Sequence, residues 1–338
     1  MGKREGYIEV LLKNGLNLHK RDALFISIQT SQGVLANEIE KKARDFGLED
    51  IFIFYNDSEA KNNRLSEYIE KDAKFLFFTS EDTQSLNMAM VRDLINNDIG
   101  IQYTIAVLPN ENSISEEELY YYSSISDKDA VINWNNKISD INKIASQIKN
   151  FNLKMLKIES LNDTNLIMHF DGRIIGNSEF NRMKLFPNYK VELVPNKDSV
   201  KGFVKSTSSI KLGTEIVEEL SLFIDNGEVR DYDCSKGDKA VRDILNSSYS
   251  PVVEAIGLID REEPTYRKYD GFNNLILDRT SNPYILISSY DEKNDDKKSL
   301  VVPIGSLSLH VVGYNKKGKC ITLYEDEGFS KKLVPNKK

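Results

Sequence analysis

Histidine, cysteine and tryptophan are scarce in this 338-residue chain, which has three, two and one of them. The two cysteines, Cys234 and Cys320, make neither a disulfide framework nor a thiolate cluster. The three histidines, His19, His169 and His310, are too scattered to form a metal site by spacing. No stretch approaches the roughly 18 apolar residues that a membrane-crossing helix needs. The opening Met-Gly-Lys-Arg-Glu-Gly lacks the apolar region of a secretory signal. Gly6 stands where an N-myristoylation motif has Ser or Thr. Neither G-x-G-x-x-G nor G-x-x-x-x-G-K-[ST] occurs, so nothing indicates a cradle for nucleotide phosphates. Positive charge is in deficit, with 45 Lys and Arg against 52 Asp and Glu and a net charge of -7. That excludes the broad basic field of a nucleic-acid binder. The expectation is a cytoplasmic protein with no nucleic-acid and no membrane partner.

What is present is a two-part pattern. Apolar runs at Asp22–Ile28, Ile51–Tyr55, Phe75–Phe78 and Tyr103–Leu108 read as buried strands. Residues 7–18 have helical spacing that ends at Gly15, and Leu35–Phe46 reads as a helix closed by Gly47. A longer helix is expected over Asn133–Lys149. Strands alternating with helices imply a parallel sheet. After about residue 150 the texture changes to short strands, such as Lys154–Ile158, Asn165–Phe170, Ser221–Ile224 and Leu300–Ile304. Turn pairs punctuate them at Asp171-Gly172, Asn226-Gly227 and Lys317-Gly318, and one helix falls at Asp238–Leu245. The fold class is therefore α/β: an N-terminal parallel-sheet α/β domain with its trailing helix, residues 1–150, and a mostly antiparallel β-rich C-terminal domain, residues 151–338.

Short motifs in a fixed order carry a family resemblance. They are Leu11-Leu-Lys-Asn-Gly-Leu-Asn-Leu18, Asp129-Ala-Val-Ile-Asn-Trp134, Gly202-Phe-Val204, Ser235-Lys-Gly-Asp-Lys-Ala-Val-Arg-Asp-Ile-Leu245 and Leu185-Phe-Pro-Asn-Tyr-Lys-Val-Glu-Leu-Val-Pro195. Together they resemble the thermophilic-aminopeptidase family, the metallopeptidases typified by aminopeptidases T and S. The resemblance covers most of the chain. It implies an aminopeptidase-T-like layout, a metal site in the C-terminal domain and a homodimer.

The positions that bind metal in that family are altered here. Its N-[IL]-P-T-E-E-V-F-T-A-P segment keeps Pro187, Val191 and Pro195, but the two Glu positions fall on Tyr189 and Lys190. Its G-E-V-A-L-V glutamate falls on Ala255, with Glu254 one residue away. Its D-E-N-A-[AC]-x-H becomes Asp278-Arg-Thr-Ser-Asn-Pro-Tyr284, which replaces Glu by Arg279 and His by Tyr284. Its V-H-V-D pair falls on Ser299 and Val301, and its tyrosine hydroxyl is matched within one residue by Tyr290. The segment between Tyr290 and Leu300, and that between Tyr55 and Phe75, are shorter than in the family. A two-metal hydrolase without these ligands cannot hold the ions that make its nucleophile. The expectation is no metal and no cofactor.

The resemblance would bring Tyr189, Lys190, Glu192, Glu254, Arg279, Tyr284 and Ser299 to one former metal cavity as candidate ligand-binding residues. A Lys and an Arg in place of acidic ligands invert the local charge and suit a carboxylate. The plain alternative is that these side chains fill the space. Three functional readings follow. One is a degenerate, non-hydrolytic homologue that binds a peptide, a small biosynthetic substrate or a partner enzyme. A second is a metal-free enzyme with Tyr290, Tyr284, Lys190 or Glu192 as its acid or base, on a fold that also resembles dihydroxypyridine dioxygenases. A third is an active metallopeptidase in which Glu192, Glu254, Asp278 and a histidine converge. Tyr120-Tyr121-Tyr122, after three glutamates, is either a binding surface or an anchor of the first domain to the second.

Overall fold

The computed structural model describes residues 2–55, 64–79, 103–109, 114–125, 129–171, 173–176, 183–246, 249–266, 272, 274–291 and 296–334. Numbered along the chain, the early strands are β1 (Leu24–Ile28), β2 (Ile51–Tyr55), β3 (Lys74–Thr79), β4 (Tyr103–Val107), β5 (Leu153–Glu159), β6 (Asn165–His169), β7 (Ile174–Ile175) and β8 (Met183–Phe186). Then come β9 (Lys190–Leu193), β10 (Lys201–Lys205), β11 (Ile210–Leu212), β12 (Glu215–Val217), β13 (Ser221–Asp225) and β14 (Glu228–Asp233). The last are β15 (Val252–Ile259), β16 (Tyr284–Asp291), β17 (Asp296–Pro303), β18 (His310–Asn315), β19 (Cys320–Glu325) and β20 (Gly328–Phe329).

Two compact units result: Met1–Lys137 with Phe180–Asn188, and Ile138–Glu179 with Tyr189–Lys338. The expected single boundary at residue 150 is thus replaced by an interleaved one. The division falls within the helix Ala130–Phe151, and a later segment returns to the first unit. The physical cause of the return is β8, which pairs in parallel with β4. Phe186 at its end sits 4.8 Å from Trp134 and 5.3 Å from Tyr7, ring centre to ring centre.

The first unit holds a five-stranded parallel sheet in the order β2-β1-β3-β4-β8. Every residue of β1 (Leu-Phe-Ile-Ser-Ile) and of β4 (Tyr-Thr-Ile-Ala-Val) is buried. Strands covered on both faces read as continuous apolar runs, which is why these two are visible in the sequence. The N-terminal helix begins at Lys3, earlier than its apolar spacing indicates, and widens into a π turn over Leu11–Gly15. The Tyr7 hydroxyl donates to the Val107 carbonyl at 2.9 Å, and Thr104 Oγ1 to the Gly15 carbonyl at 3.0 Å. Tyr120 packs within the first unit: its ring lies 5.5 Å from Tyr7 and its hydroxyl donates to Glu116, which also takes Arg4. The helix that carries it, Glu116–Tyr122, starts with a Ser115/Glu118 capping box.

The second unit is built on a 13-stranded sheet in the order β17-β16-β15-β14-β13-β10-β6-β5-β18-β19-β20, with β9 added to β15 and β7 to β9. All its pairings are antiparallel. Alternation is clear in β6, where Leu166 and Met168 are buried and Asn165, Ile167 and His169 are exposed. Asn226 and Gly227 (φ +51° and +78°) form the two-residue loop between β13 and β14. A Cβ on Gly227 would lie 1.6 Å from the Lys197 carbonyl oxygen. Gly227→Ala is therefore expected to cost about 2 kcal/mol or more, read as a lowered urea midpoint. An unchanged midpoint would mean that the hairpin does not approach Lys197.

Candidate functional site

β15 is flanked by β9 on one side and β16 on the other. Glu192 pairs with Gly257, Gly257 with Tyr284, and Lys190 with Ile259. Side chains two apart on a strand share a face, so Lys190 and Glu192 emerge beside Tyr284. Gly257 lets the Tyr284 ring lie across the β15 backbone, since a Cβ there would be 2.1 Å from Tyr284 Cε1. Arg279 arrives from the end of the short helix Leu275–Asp278. That helix is fixed by side chains: Asn274 Oδ1 accepts from the amides of Ile276 (3.1 Å) and Leu277 (3.2 Å). The Asp278 carboxylate accepts from the amides of Phe272 (2.6 Å) and Asn274 (3.0 Å), so it is committed to the loop.

Glu192 is the hub. One of its oxygens accepts hydrogen bonds from Arg279 Nη2 and from the Tyr284 hydroxyl. Arg279 Nε also donates to the Tyr284 oxygen at 3.3 Å. Lys190 Nζ stands 3.5 Å from the same Glu192 oxygen and 5.5 Å from the centre of the Tyr284 ring, yet makes no hydrogen bond. Lys190 and Glu192 are each 2% exposed and Tyr284 is 0% exposed. Burial pushes Lys190 down to about 7, with Arg279 adding to the fall and Glu192 opposing it. For Glu192 burial favours the neutral acid, but the charges of Arg279 and Lys190 and the two hydrogen bonds outweigh it and hold the carboxyl near 2. Burial, then Glu192, raises the Tyr284 phenol well above its ordinary value, so it stays a donor.

The remaining expected residues do not join this cluster. Ala255, Leu286 and Val301 lie side by side on β15, β16 and β17 and pack with Ile259 and Tyr284. Beyond that apolar row, Ser288 donates to the Glu254 carboxylate and its oxygen lies 3.3 Å from Ser299 Oγ. Tyr290 is six residues along β16 from Tyr284, a separation of about 20 Å. It is 38% exposed and faces Tyr249 at 5.9 Å. Tyr189 is buried at the entry to β9, in the alternate position to Lys190. The expected single cavity is therefore two polar groups with hydrocarbon between them. The carboxylate expected from a ligand is supplied by the chain itself, as Glu192. Sequence reading missed Gly257 and Ser288. A glycine inside an apolar strand was the available signal for the first, since it marks a close approach.

Divalent ions do not fit these residues. They need oxygen, imidazole or thiolate acceptors. Here they would meet an ammonium, a guanidinium, a phenol and aliphatic groups around one committed carboxylate. Among the described residues no group of three or more His, Cys, Asp or Glu is placed to hold a metal. His19 and His169 lie on the exterior, and His310 lies in β18 opposite Glu159.

The first unit is thus a parallel α/β fold, and the second is a large antiparallel sheet that carries the Lys190–Glu192–Arg279–Tyr284 cluster. The profile of the thermophilic metalloprotease (M29) family matches residues 107–290, and the chain belongs to that family. It is 21% identical to aminopeptidase 2 of Geobacillus stearothermophilus over 388 aligned positions, covering 93% of this chain and 94% of that one. It is 26% identical to aminopeptidase AmpS of Bacillus subtilis (strain 168) over 108 positions, 32% of this chain and 26% of the relative. Among solved structures, wild-type AmpT from Thermus thermophilus superposes with a TM-score of 0.71 at 13% identity, over 97% of this chain and 98% of that one. The 2,5-dihydroxypyridine dioxygenase of Pseudomonas putida KT2440 gives 0.58 at 10% identity, over 99% and 97%. These likenesses establish the α/β two-domain fold. No helix among the described residues is long and apolar enough to cross a membrane.

Proposed function

We propose that this chain is a catalytically degenerate member of the family, which binds a peptide or a related small biosynthetic substrate without hydrolysing it through metal-activated water. The observation that carries this reading is the Lys190–Glu192–Arg279–Tyr284 cluster: donors and cations fill the positions where the family resemblance requires metal ligands. The substrate class comes from the relatives, which are named as aminopeptidases. Purified protein is expected to show no hydrolysis of leucyl-p-nitroanilide above background, with or without added Co²⁺ or Zn²⁺. A mixture of short peptides is expected to raise its melting temperature, as any ligand of the native state does. Turnover that EDTA abolishes would end this reading.

A second reading rests on one specific observation. Lys190 Nζ is buried, lacks a hydrogen-bond partner and titrates near 7. A neutral amine at that pH is a competent base or nucleophile. Metal-free chemistry in this cluster would show a rate that rises through pH 7 and is lost in Lys190→Met.

A further inference from the structure

We infer that Arg279, together with the Tyr284 hydroxyl, does the charge-balancing work of divalent ions at this corner of the second unit, so that folding of the unit is independent of metal. The inference rests on the family assignment and on the misfit of metal to these residues. It does not depend on whether the chain turns over a substrate.

Segments remote in sequence meet at one carboxylate. β9 supplies Lys190 and Glu192, the end of the short helix supplies Arg279, and β16 supplies Tyr284, whose ring lies on Gly257 of β15. A buried carboxylate has to be compensated by positive charge and by hydrogen bonds. A divalent ion bound by several strands is one means of doing so. Here the Arg279 guanidinium provides the charge and one hydrogen bond, the Tyr284 hydroxyl provides another, and the Lys190 ammonium adds a cation at 3.5 Å. The groups around Glu192 are thus donors, whereas a metal requires acceptors. The orphaned Nζ tells the same story: the unmet demand in this cluster is for a lone pair, not for a cation. The neighbouring apolar row of Ala255, Leu286 and Val301 offers none. The same junction of β9, β15 and β16 is thereby fastened with no exchangeable component.

The test is thermal unfolding of the full chain by far-UV circular dichroism, as purified, after EDTA dialysis, and with stoichiometric Zn²⁺ or Co²⁺. The expected melting temperatures agree within about 1 °C, because no ion binds the native state preferentially. Arg279→Met is expected to lower the melting temperature by about 10 °C by taking from the buried Glu192 its guanidinium charge and one hydrogen bond. The Glu192→Gln/Arg279→Met double variant is expected to recover most of that loss, and it carries this arm if the single variant does not fold. A fall with EDTA, a rise with stoichiometric Co²⁺ or Zn²⁺, or a double variant no better than Arg279→Met would overturn the inference. Chelator-sensitive hydrolysis with chelator-insensitive stability would sink the proposed function and leave this inference standing.

Discussion

Gly257→Ala is expected to destabilise the second unit by about 3 kcal/mol or more, beyond what a methyl group costs in most strands. The added Cβ would lie 2.1, 2.3 and 2.7 Å from Cε1, Cζ and Cδ1 of Tyr284. Those atoms belong to a rigid ring, so no flexible chain end can yield. The ring is also confined, because Tyr284 packs with Ala255, Ile259, Leu286 and Val301. Moving it breaks the hydroxyl's bond to Glu192 and leaves that carboxylate with one donor fewer in a site that water does not reach. Urea titration is the measurement, with two comparison variants. Tyr284→Phe keeps the ring and loses only the hydroxyl, and is expected to cost less than Gly257→Ala. Gly257→Ala combined with Tyr284→Ala removes the clash, so its cost is expected to fall below the sum of the two single changes. Strict additivity would mean that the ring does not rest on Gly257.

Lys190→Met is expected to stabilise the protein by about 1–4 kcal/mol at pH 6, which is opposite in sign to most buried substitutions. The lysine stem already fits a buried site, and Met keeps most of its volume without the charge. The pH dependence identifies the cause. Burial holds Lys190 down at about 7 in the folded chain against an ordinary 10.5. Between those values the unfolded chain binds the extra proton, so stability rises with pH across this window. Below about 7 the lysine is charged in both states and its burial cost is fully present. As the pH approaches 10.5 that cost is relieved, and the variant's advantage is expected to shrink toward zero. Glu192 acts in the opposite direction. Against its burial, Arg279 and Lys190 hold its carboxyl near 2 rather than at an ordinary 4.5, so its contribution is present above 4.5 and lost as the pH falls toward 2. Melting temperatures of both proteins from pH 5.5 to 10 decide the matter, and parallel curves would show that Lys190 carries no buried charge.

Much of the first unit was legible because its strands are short apolar runs covered on both faces. β1, β2, β3 and β4 fall within a residue or two of the expected runs. β8 was not legible as part of that sheet. Nothing local in Met-Lys-Leu-Phe says which sheet it joins, and its partner β4 lies about 80 residues earlier. In the second unit the Asn226-Gly227 and Lys317-Gly318 turns were legible, since glycine's access to positive φ marks such loops directly. Gly172, the third expected turn glycine, lies outside the described residues, as do most residues of the charged stretch after Asp291. The geometry of the candidate site was not legible for a more particular reason. The position of Arg279 was known from the sequence, but its partner was not, because Glu192 stands 87 positions away.

The amino-acid sequence by itself determined the α/β class and the ordered motifs whose family resemblance implies the substitutions at Lys190, Arg279, Tyr284 and Ser299. These are properties of residue type and local spacing, and no distant contact is needed to read them. The tertiary structure alone decided that Lys190 and Arg279 share Glu192, that an apolar row separates them from Glu254 and Ser299, and that Gly257 makes room for Tyr284. Each of these depends on the register of β9, β15, β16 and β17, and register is set by long-range strand pairing that local periodicity does not encode.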